Sequence, residues 1–326
     1  MATLKIGSNA EGYGKANDVG ELVYKFEKVV WSKVPHVEGG MVVNKTPLVD
    51  LSAELRAAAR DLYNKNIDCE ILAKEEWFLP SGSIKMRPAA CIMHDAIEKG
   101  IVREGMPVFE ATSGNFGISM GYMKEIGLRP FVVVSRKVYD GVGRELNRNG
   151  VGIIYLNTEI CPTPGHANAK SQSELMADDI ISQLKRNGLD AARAYGRREE
   201  IVEVMERNNP MDLAVLLAKI YDGFCPRQYE NMNNIKAYLT LGREIEEQLE
   251  GMGKSLGDYS IVCTFGTGGT STGLSEYYAE RFGRKGVFVV FPEAGQDVAG
   301  IRTKEMVRGL KFYRPDKYAG ELEINW

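Results

Sequence analysis

Three short segments of this chain carry side chains whose types and order suit one chemistry. Lys85 closes the run Pro80-Ser81-Gly82-Ser83-Ile84-Lys85 and opens an apolar, helix-like stretch from Pro88 to Ile97. A lysine so placed can attack a carbonyl once its proton is lost, and burial near a helix N-terminus lowers its pKa. Ser83 or nearby backbone is expected to cap that helix. Thr112-Ser113-Gly114-Asn115-Phe116-Gly117 offers two hydroxyls, a carboxamide and unobstructed backbone N–H groups, the equipment to hold a carboxylate. Gly266-Thr267-Gly268-Gly269-Thr270 has three glycines that let backbone fold around an anion, and hydroxyls to donate to it. It lacks the Gly-Lys-Ser/Thr of a nucleotide P-loop, and Gly266, Gly268 and Gly269 do not have G-x-G-x-x-G spacing. A small phosphate ester therefore suits it better than a nucleotide. Each segment alone is ordinary turn chemistry; their order along one chain is what carries the inference.

An alternating fold must position these loops. Leu51, Leu55, Ala58 and Leu62 predict a helix over 51–66 with Ser52 as its N-cap, and 70–73 a short strand. Residues 88–99 predict a helix closed by Gly100, and 107–111 a strand leading into the first glycine loop. Helix follows at 116–125, buried strand at 131–135, helix at 142–149 and strand at 152–156. Residues 167–222 read as mostly helical, broken near Gly188 and at Asn208-Asn209-Pro210. This stretch is expected to cover the cleft or to form a dimer surface. Helix 233–249, strand 259–265, helix 274–282 and strand 286–292 complete the pattern. Strands alternating with helices predict an α/β fold with parallel sheets. Both glycine loops follow a strand and open a helix, the end of a strand where such sheets place ligands. Two sheets facing one cleft are therefore expected.

The bulk numbers agree. The chain has 326 residues, enough for one large or two smaller domains, with 44% hydrophobic and 26% charged residues and a net charge of −3. The slight acidity and scattered basic residues give no footprint for nucleic acid. Cys69, Cys91, Cys161, Cys225 and Cys263 form no C-x-x-C pair, as expected of reduced thiols in the cytoplasm. His36, His94 and His166 lack metal-ligand spacing, so no metal is expected. Residues 1–20 lack the apolar core of a secretion signal, and no run is long enough to span a membrane.

With the three motifs in order, the chain resembles the fold type II, tryptophan synthase β-like, pyridoxal-phosphate enzymes. It is most similar to the cysteine synthase and cystathionine β-synthase branch. The resemblance rests on Ser81-Gly82-Ser83-Ile84-Lys85-x-Arg87-Pro88-Ala89, Thr112-Ser113-Gly114-Asn115-x-Gly117 and Gly266-Thr267-Gly268-Gly269-Thr270. Asn44-Lys45-Thr46-Pro47-Leu48-Val49 resembles the family's opening strand, and the similarity runs from about Thr46 to Gly300. It implies two three-layer α/β/α domains: residues 45–165, and residues 1–44 with 166–326. It implies that Lys85 holds pyridoxal phosphate and moves protons. Thr112, Ser113, Gly114, Asn115 and Phe116 would grip the substrate carboxylate, with Asn115 also reaching the cofactor. Gly266, Thr267, Gly268, Gly269 and Thr270 would hold its phosphate, and Gln228, in Cys225-Pro226-Arg227-Gln228-Tyr229-Glu230-Asn231, would support the substrate. The implied reaction is β-replacement or β-elimination on an O-activated, serine-like amino acid through an aminoacrylate, with a small nucleophile, in a cytoplasmic homodimer. The alternatives are γ-replacement, as in threonine synthase, and a non-catalytic subunit of the same fold.

Some positions depart from the family pattern. Met86 stands where cysteine synthases carry an acid, and Phe116 where threonine is common, which makes the second-substrate side more apolar. The family's Ser or Thr partner for the pyridine nitrogen has no counterpart after Gly295; the expectations are a truncated or split protein, a site completed by another subunit, or a different partner for that nitrogen. Arg87, Arg136, Arg144 and Arg227 are candidates for selecting an acidic or phosphorylated substrate.

Overall fold

A computed structural model of the chain describes residues 16–112, 114–135, 140–156, 169–207, 209–296, 298 and 300–325. Ser113, Arg136, Cys161 and His166 lie outside the described residues.

Helix α1 (Ala16–Val29) leads to a hairpin of β1 (His36–Glu38) and β2 (Met41–Val43). Gly39 and Gly40 turn it with φ of 56° and 85°, the left-handed pair that a tight hairpin requires. Strand β3 (Leu48–Asp50) pairs antiparallel with β4 (Leu72–Lys74), and α2 (Ser52–Tyr63) lies between them. Ser52 does not cap α2. The Asp50 carboxylate accepts the Ser52 N–H at 2.8 Å, and the Ser52 hydroxyl instead accepts the Ile71 N–H at 2.9 Å. Helix α3 (Met86–Glu98) starts just after Lys85, with Pro88 in its first turn, where no backbone N–H is needed.

Strands β5 (Pro107–Ala111), β6 (Arg129–Ser135) and β7 (Gly152–Leu156) form a parallel sheet in that order. The first glycine loop leaves β5 and opens α4 (Asn115–Gly121). The expected single helix tightens after α4 into a 3-10 turn, Tyr122–Ile126, stopped by Gly127 at φ 87°. Helix α5 (Asp140–Arg148) connects β6 to β7.

Helices α6 (Ala169–Arg186), α7 (Ala191–Tyr195), α8 (Arg198–Glu206) and α9 (Pro210–Ile220) follow, with breaks where the sequence puts them. Asp190 caps α7, and Asn209 caps α9 ahead of Pro210. Their apolar faces do not cover the cleft. Leu184, Ile201, Leu213 and Leu217 pack with Phe109, Phe131 and Ile154 of the first sheet in one core. The charged residues of this stretch are the outer surface of an ordinary sheet-covering layer.

Helix α10 (Asn233–Gly251), β8 (Ile261–Thr264), α11 (Gly269–Phe282) and β9 (Val287–Pro292) follow. The short α12 (Lys304–Val307) and a last strand, β10 (Gly320–Ile324), end the described elements. The second sheet is parallel throughout, in the order β10-β9-β8. Tyr238, Leu241 and Leu249 of α10 and Leu274 and Tyr278 of α11 share a core with Val287 on one side of it. Phe265, Phe291, Val307 and Tyr318 form another core on the same strands. Strand β10 was not expected. Gly-Glu-Leu-Glu-Ile is too polar for a buried strand, and it suits the edge position it takes beside β9 alone.

Candidate active site

Lys85 occupies the N-cap position of α3, with no side chain capping the helix. Backbone shapes the turn before it. Gly82 at φ 69° donates its N–H to the Leu79 carbonyl at 2.7 Å, and the Met86 N–H reaches the Ser83 carbonyl at 3.2 Å. The expected Ser83 cap is therefore a backbone contact, and the Ser83 hydroxyl is buried without a partner. Burial first, and then the nearby Arg302 charge, lower the Lys85 amine to about 8. A depressed amine supplies a usable fraction of neutral nucleophile at neutral pH.

The phosphate-type loop lies against that amine. A Cβ built on Gly266 would stand 3.4 Å from Lys85 Nζ and 3.0 Å from the Gly300 carbonyl. Gly268 has φ 89°, and a Cβ there would stand 2.6 Å from the Phe312 carbonyl. A Cβ on Gly269 would fall 2.1 Å from Asn234 Oδ1, a buried oxygen with no hydrogen-bond partner. The Thr267 hydroxyl accepts from Asn234 Nδ2 at 3.0 Å and from the Gly269 N–H at 3.4 Å. Thr270 stands in the first turn of α11, whose opening N–H groups have no partner within the helix and face the loop with the positive end of its dipole.

The carboxylate-type loop joins the lysine turn through side chains. Ser119 Oγ of α4 lies 2.9 Å from both Ser81 Oγ and the Asn115 carbonyl, and the Tyr122 hydroxyl donates to the Pro80 carbonyl. The Gly114 N–H reaches the Thr112 hydroxyl at 3.3 Å, and Gly114 has φ 148°. Asn115 is exposed at the start of α4. Phe116 is not part of an apolar second-substrate wall. Its ring is 1% exposed and sits in the core with Met86, Ile92 and Met93. Gln228 joins the assembly. Its Nε2 donates to the Ala111 carbonyl at 3.3 Å, and its own carbonyl accepts from Asn234 Nδ2 at 2.7 Å.

The candidate arginines separate. Arg87 is buried, with Nε and Nη2 on the two oxygens of Glu76 at 2.6 and 2.7 Å and Nη1 at 2.8 Å from Glu244. Lys74 Nζ completes this cluster at 2.6 Å from Glu244, which also accepts the Thr46 N–H at 2.7 Å. The Thr46-Pro47-Leu48 segment is thus clasped to α3 and α10, and Arg87 is not free for substrate. Arg227 pairs with Glu230, and Arg144 is exposed on α5. The cation beside Lys85 is Arg302, which sequence reading missed. Its N–H bonds the Phe265 carbonyl at 2.9 Å, and its guanidinium lies 5.3 Å over the Tyr229 ring and donates to the Tyr229 hydroxyl. No spacing connects Arg302 to Lys85, so only the fold reveals it. Asn234 was also missed, although its place in the first turn of the helix after Gln228 was a usable signal.

These residues fit an aldehyde that carries a phosphate. A lysine amine faces a loop of small residues at a helix N-terminus, and two buried polar atoms without partners belong to the same parts: Ser83 Oγ in the lysine turn and Asn234 Oδ1 against Gly269. The comparisons agree. A profile of pyridoxal-phosphate-dependent enzymes matches residues 41–322, and the chain belongs to that family. Cysteine synthase 1 of Neurospora crassa is 28% identical over 259 residues, covering 77% of this chain and 53% of the relative. A probable cysteine synthase of Bacillus subtilis is 26% identical over 260 residues, covering 79% and 66%. The chain thus spans between about half and two thirds of the length of these curated relatives. A solved structure of O-ureido-L-serine synthase superposes with a TM-score of 0.59 at 19% identity, covering 86% of this chain and 73% of that one. The α/β fold with parallel sheets is the tryptophan synthase β-like fold of these neighbours.

Proposed function

We propose that this chain catalyses β-replacement or β-elimination on an O-activated, serine-like amino acid, a reading supported by its similarity to proteins named cysteine synthase. The observation that carries this reading is the Lys85 amine, lowered to about 8 and set against the Gly266–Thr270 loop. Bound there, pyridoxal phosphate supplies the carbonyl for the lysine and an electron sink for charge at the substrate α-carbon. Lys85 would hold the cofactor and, as a neutral amine, would take the substrate α-proton at Nζ and later return it. Thr112, Gly114 and Asn115 orient the substrate carboxylate through hydroxyl, amide and backbone donors, and Ser113 belongs to the same loop by sequence. Gly266, Thr267, Gly268, Gly269 and Thr270 fix the phosphate, with Asn234 bracing Thr267. Gln228 holds the end of β5, from which the carboxylate loop springs.

The test is spectral. The chain mixed with pyridoxal phosphate turns yellow, borohydride bleaches it, and peptide mapping places the label on Lys85. Titration with O-acetylserine, O-phosphoserine and O-phosphohomoserine then separates β- from γ-chemistry. A protein that takes up no cofactor overturns the reading.

No helix among the described residues is long and apolar enough to cross a membrane. Cys69, Cys91, Cys225 and Cys263 are free thiols, which supports a cytoplasmic setting. A homodimer follows from the family resemblance, and sedimentation tests it.

A further inference from the structure

The buried carboxyl of Glu110 has no part in the proposed chemistry, yet it lies between two segments that do. Glu110 is 2% exposed near the end of β5. On that edge β5 starts as a ladder with the chain near Phe224: the Phe224 N–H reaches the Pro107 carbonyl at 3.0 Å and the Phe109 N–H reaches the Phe224 carbonyl at 2.9 Å. Past Phe224 the chains diverge, and side chains continue the ladder. Glu110 Oε1 accepts the Ala111 N–H at 3.1 Å, and Oε2 accepts the Gln228 N–H at 3.2 Å. Gln228 Nε2 answers by donating to the Ala111 carbonyl at 3.3 Å. Arg227 holds a left-handed φ of 53°, rare for a non-glycine residue, at the corner that brings the Gln228 N–H to the carboxyl. From Gln228 the connection runs through Asn234 to Thr267 of the phosphate loop.

We propose that Glu110 is a positioning residue that, through Gln228 and Asn234, holds the carboxylate-binding loop in register with the phosphate loop. This deepens the function proposed above and rests on it for the identity of the two loops. The consequence is pH-dependent. Burial raises the Glu110 carboxyl to about 8, against backbone N–H groups that favour its charged form. The ionisable groups facing it are the Arg227 guanidinium, already paired with Glu230, and the Cys225 thiol, which burial holds neutral. Below about 8 the carboxyl is neutral. As pH rises toward and through it, the charged carboxylate keeps its two N–H bonds but gains more from water than from its buried place, so opening of the strut becomes easier.

Hydrogen exchange of the Thr112, Gly114–Gly117 and Gly266–Thr270 amides tests this in the wild type, E110Q and E110A, with and without pyridoxal phosphate. In the wild type, cofactor protects both loops at pH 7. Between pH 7 and 9, after correction for intrinsic exchange, the carboxylate loop loses protection on the order of tenfold, the linkage of a carboxyl that ionises near 8 when closed and at its ordinary value when open. E110Q, neutral at every pH and able to accept one of the two N–H bonds, shows no change in protection between pH 7 and 9. E110A keeps the phosphate loop protected but leaves the carboxylate loop open at both pH values. Wild-type protection that does not change with pH, or E110Q protection that falls between pH 7 and 9 as the wild type's does, overturns the proposal. So does equal loss at both loops in E110A when E110Q is unchanged. The pH comparison of wild type with E110Q is also read on the cofactor-free chain. A protein that bound no pyridoxal phosphate would therefore refute the proposed function while Glu110 remained separately testable.

Discussion

At the scale of single residues, Lys85 and Arg302 make an electrostatic pair of like charges. Desolvation is the larger cause of the low Lys85 pKa, and Arg302 adds to it. The neutral fraction of Lys85 grows as pH rises through about 8, so the initial rate of borohydride-trappable adduct with pyridoxal phosphate is expected to be half-maximal near there. Arg302→Met removes the repelling charge and moves that midpoint to higher pH; a midpoint that stays in place or falls would show that Arg302 does not tune the lysine. Gly268 permits a second prediction. An alanine at φ 89°, with its Cβ 2.6 Å from the Phe312 carbonyl, strains the backbone and distorts the cradle. Gly268→Ala should cost about 1–3 kcal/mol in urea unfolding and weaken cofactor uptake in a spectral titration.

At the scale of elements, α10 serves as a strut. Its first turn carries Asn234 against Thr267, and three turns later Glu244 meets Arg87 and Lys74. Arg87 lies two residues beyond Lys85 on α3, so this cluster fixes the helix that presents the reactive amine. Arg87→Met leaves the carboxylates of Glu76 and Glu244 without their guanidinium partner. Removing one member of a buried ionic cluster costs about 3–5 kcal/mol, and denaturant unfolding of the variant should show a loss of that size. Arg87→Met paired with Glu76→Gln should recover part of it, because the Glu76 charge left by the loss of Arg87 is then removed while Glu244 keeps Lys74.

At the scale of the whole molecule, each parallel sheet presents one glycine loop, and Gln228 and Asn234 join the two loops. Ligand binding between such loops stabilises the folded state alone. At pyridoxal phosphate concentrations about 100-fold above its dissociation constant, the unfolding free energy should rise by about 2.7 kcal/mol. Lys85→Ala should show a smaller rise in a thermal melt, since phosphate contacts persist without the covalent link. The helices α6–α9 belong to the stability of the first sheet, through Leu213, Leu217 and Ile201, rather than to the site.

Most of this architecture was legible in the residues because it depends on local rules. Period-2 and period-3.6 apolar spacing placed β5, β6, β7, β8 and β9 and the helices between them. Asn209-Pro210 and Gly188 marked helix ends by capping and backbone freedom. Gly268 and Gly269 stand where backbone or Asn234 approaches too closely for a side chain, a demand visible as Gly-x-Gly-Gly before any coordinates. Tertiary structure alone decided what sequence-distant groups become to one another. Phe116 sits in a motif loop yet faces the core, because its strand-to-helix turn points it inward. Arg87 was a candidate substrate cation or a surface salt-bridge partner; the fold makes it an ion-paired residue, buried rather than at the surface, between Glu76 and Glu244. Arg302 and Glu110 carried no signal in their neighbours; one acquires its effect from a lysine more than two hundred residues away, the other from a glutamine over a hundred residues away. Local propensity acts over a few residues, whereas desolvation and Coulomb interactions depend on distance in space, which only the folded chain sets.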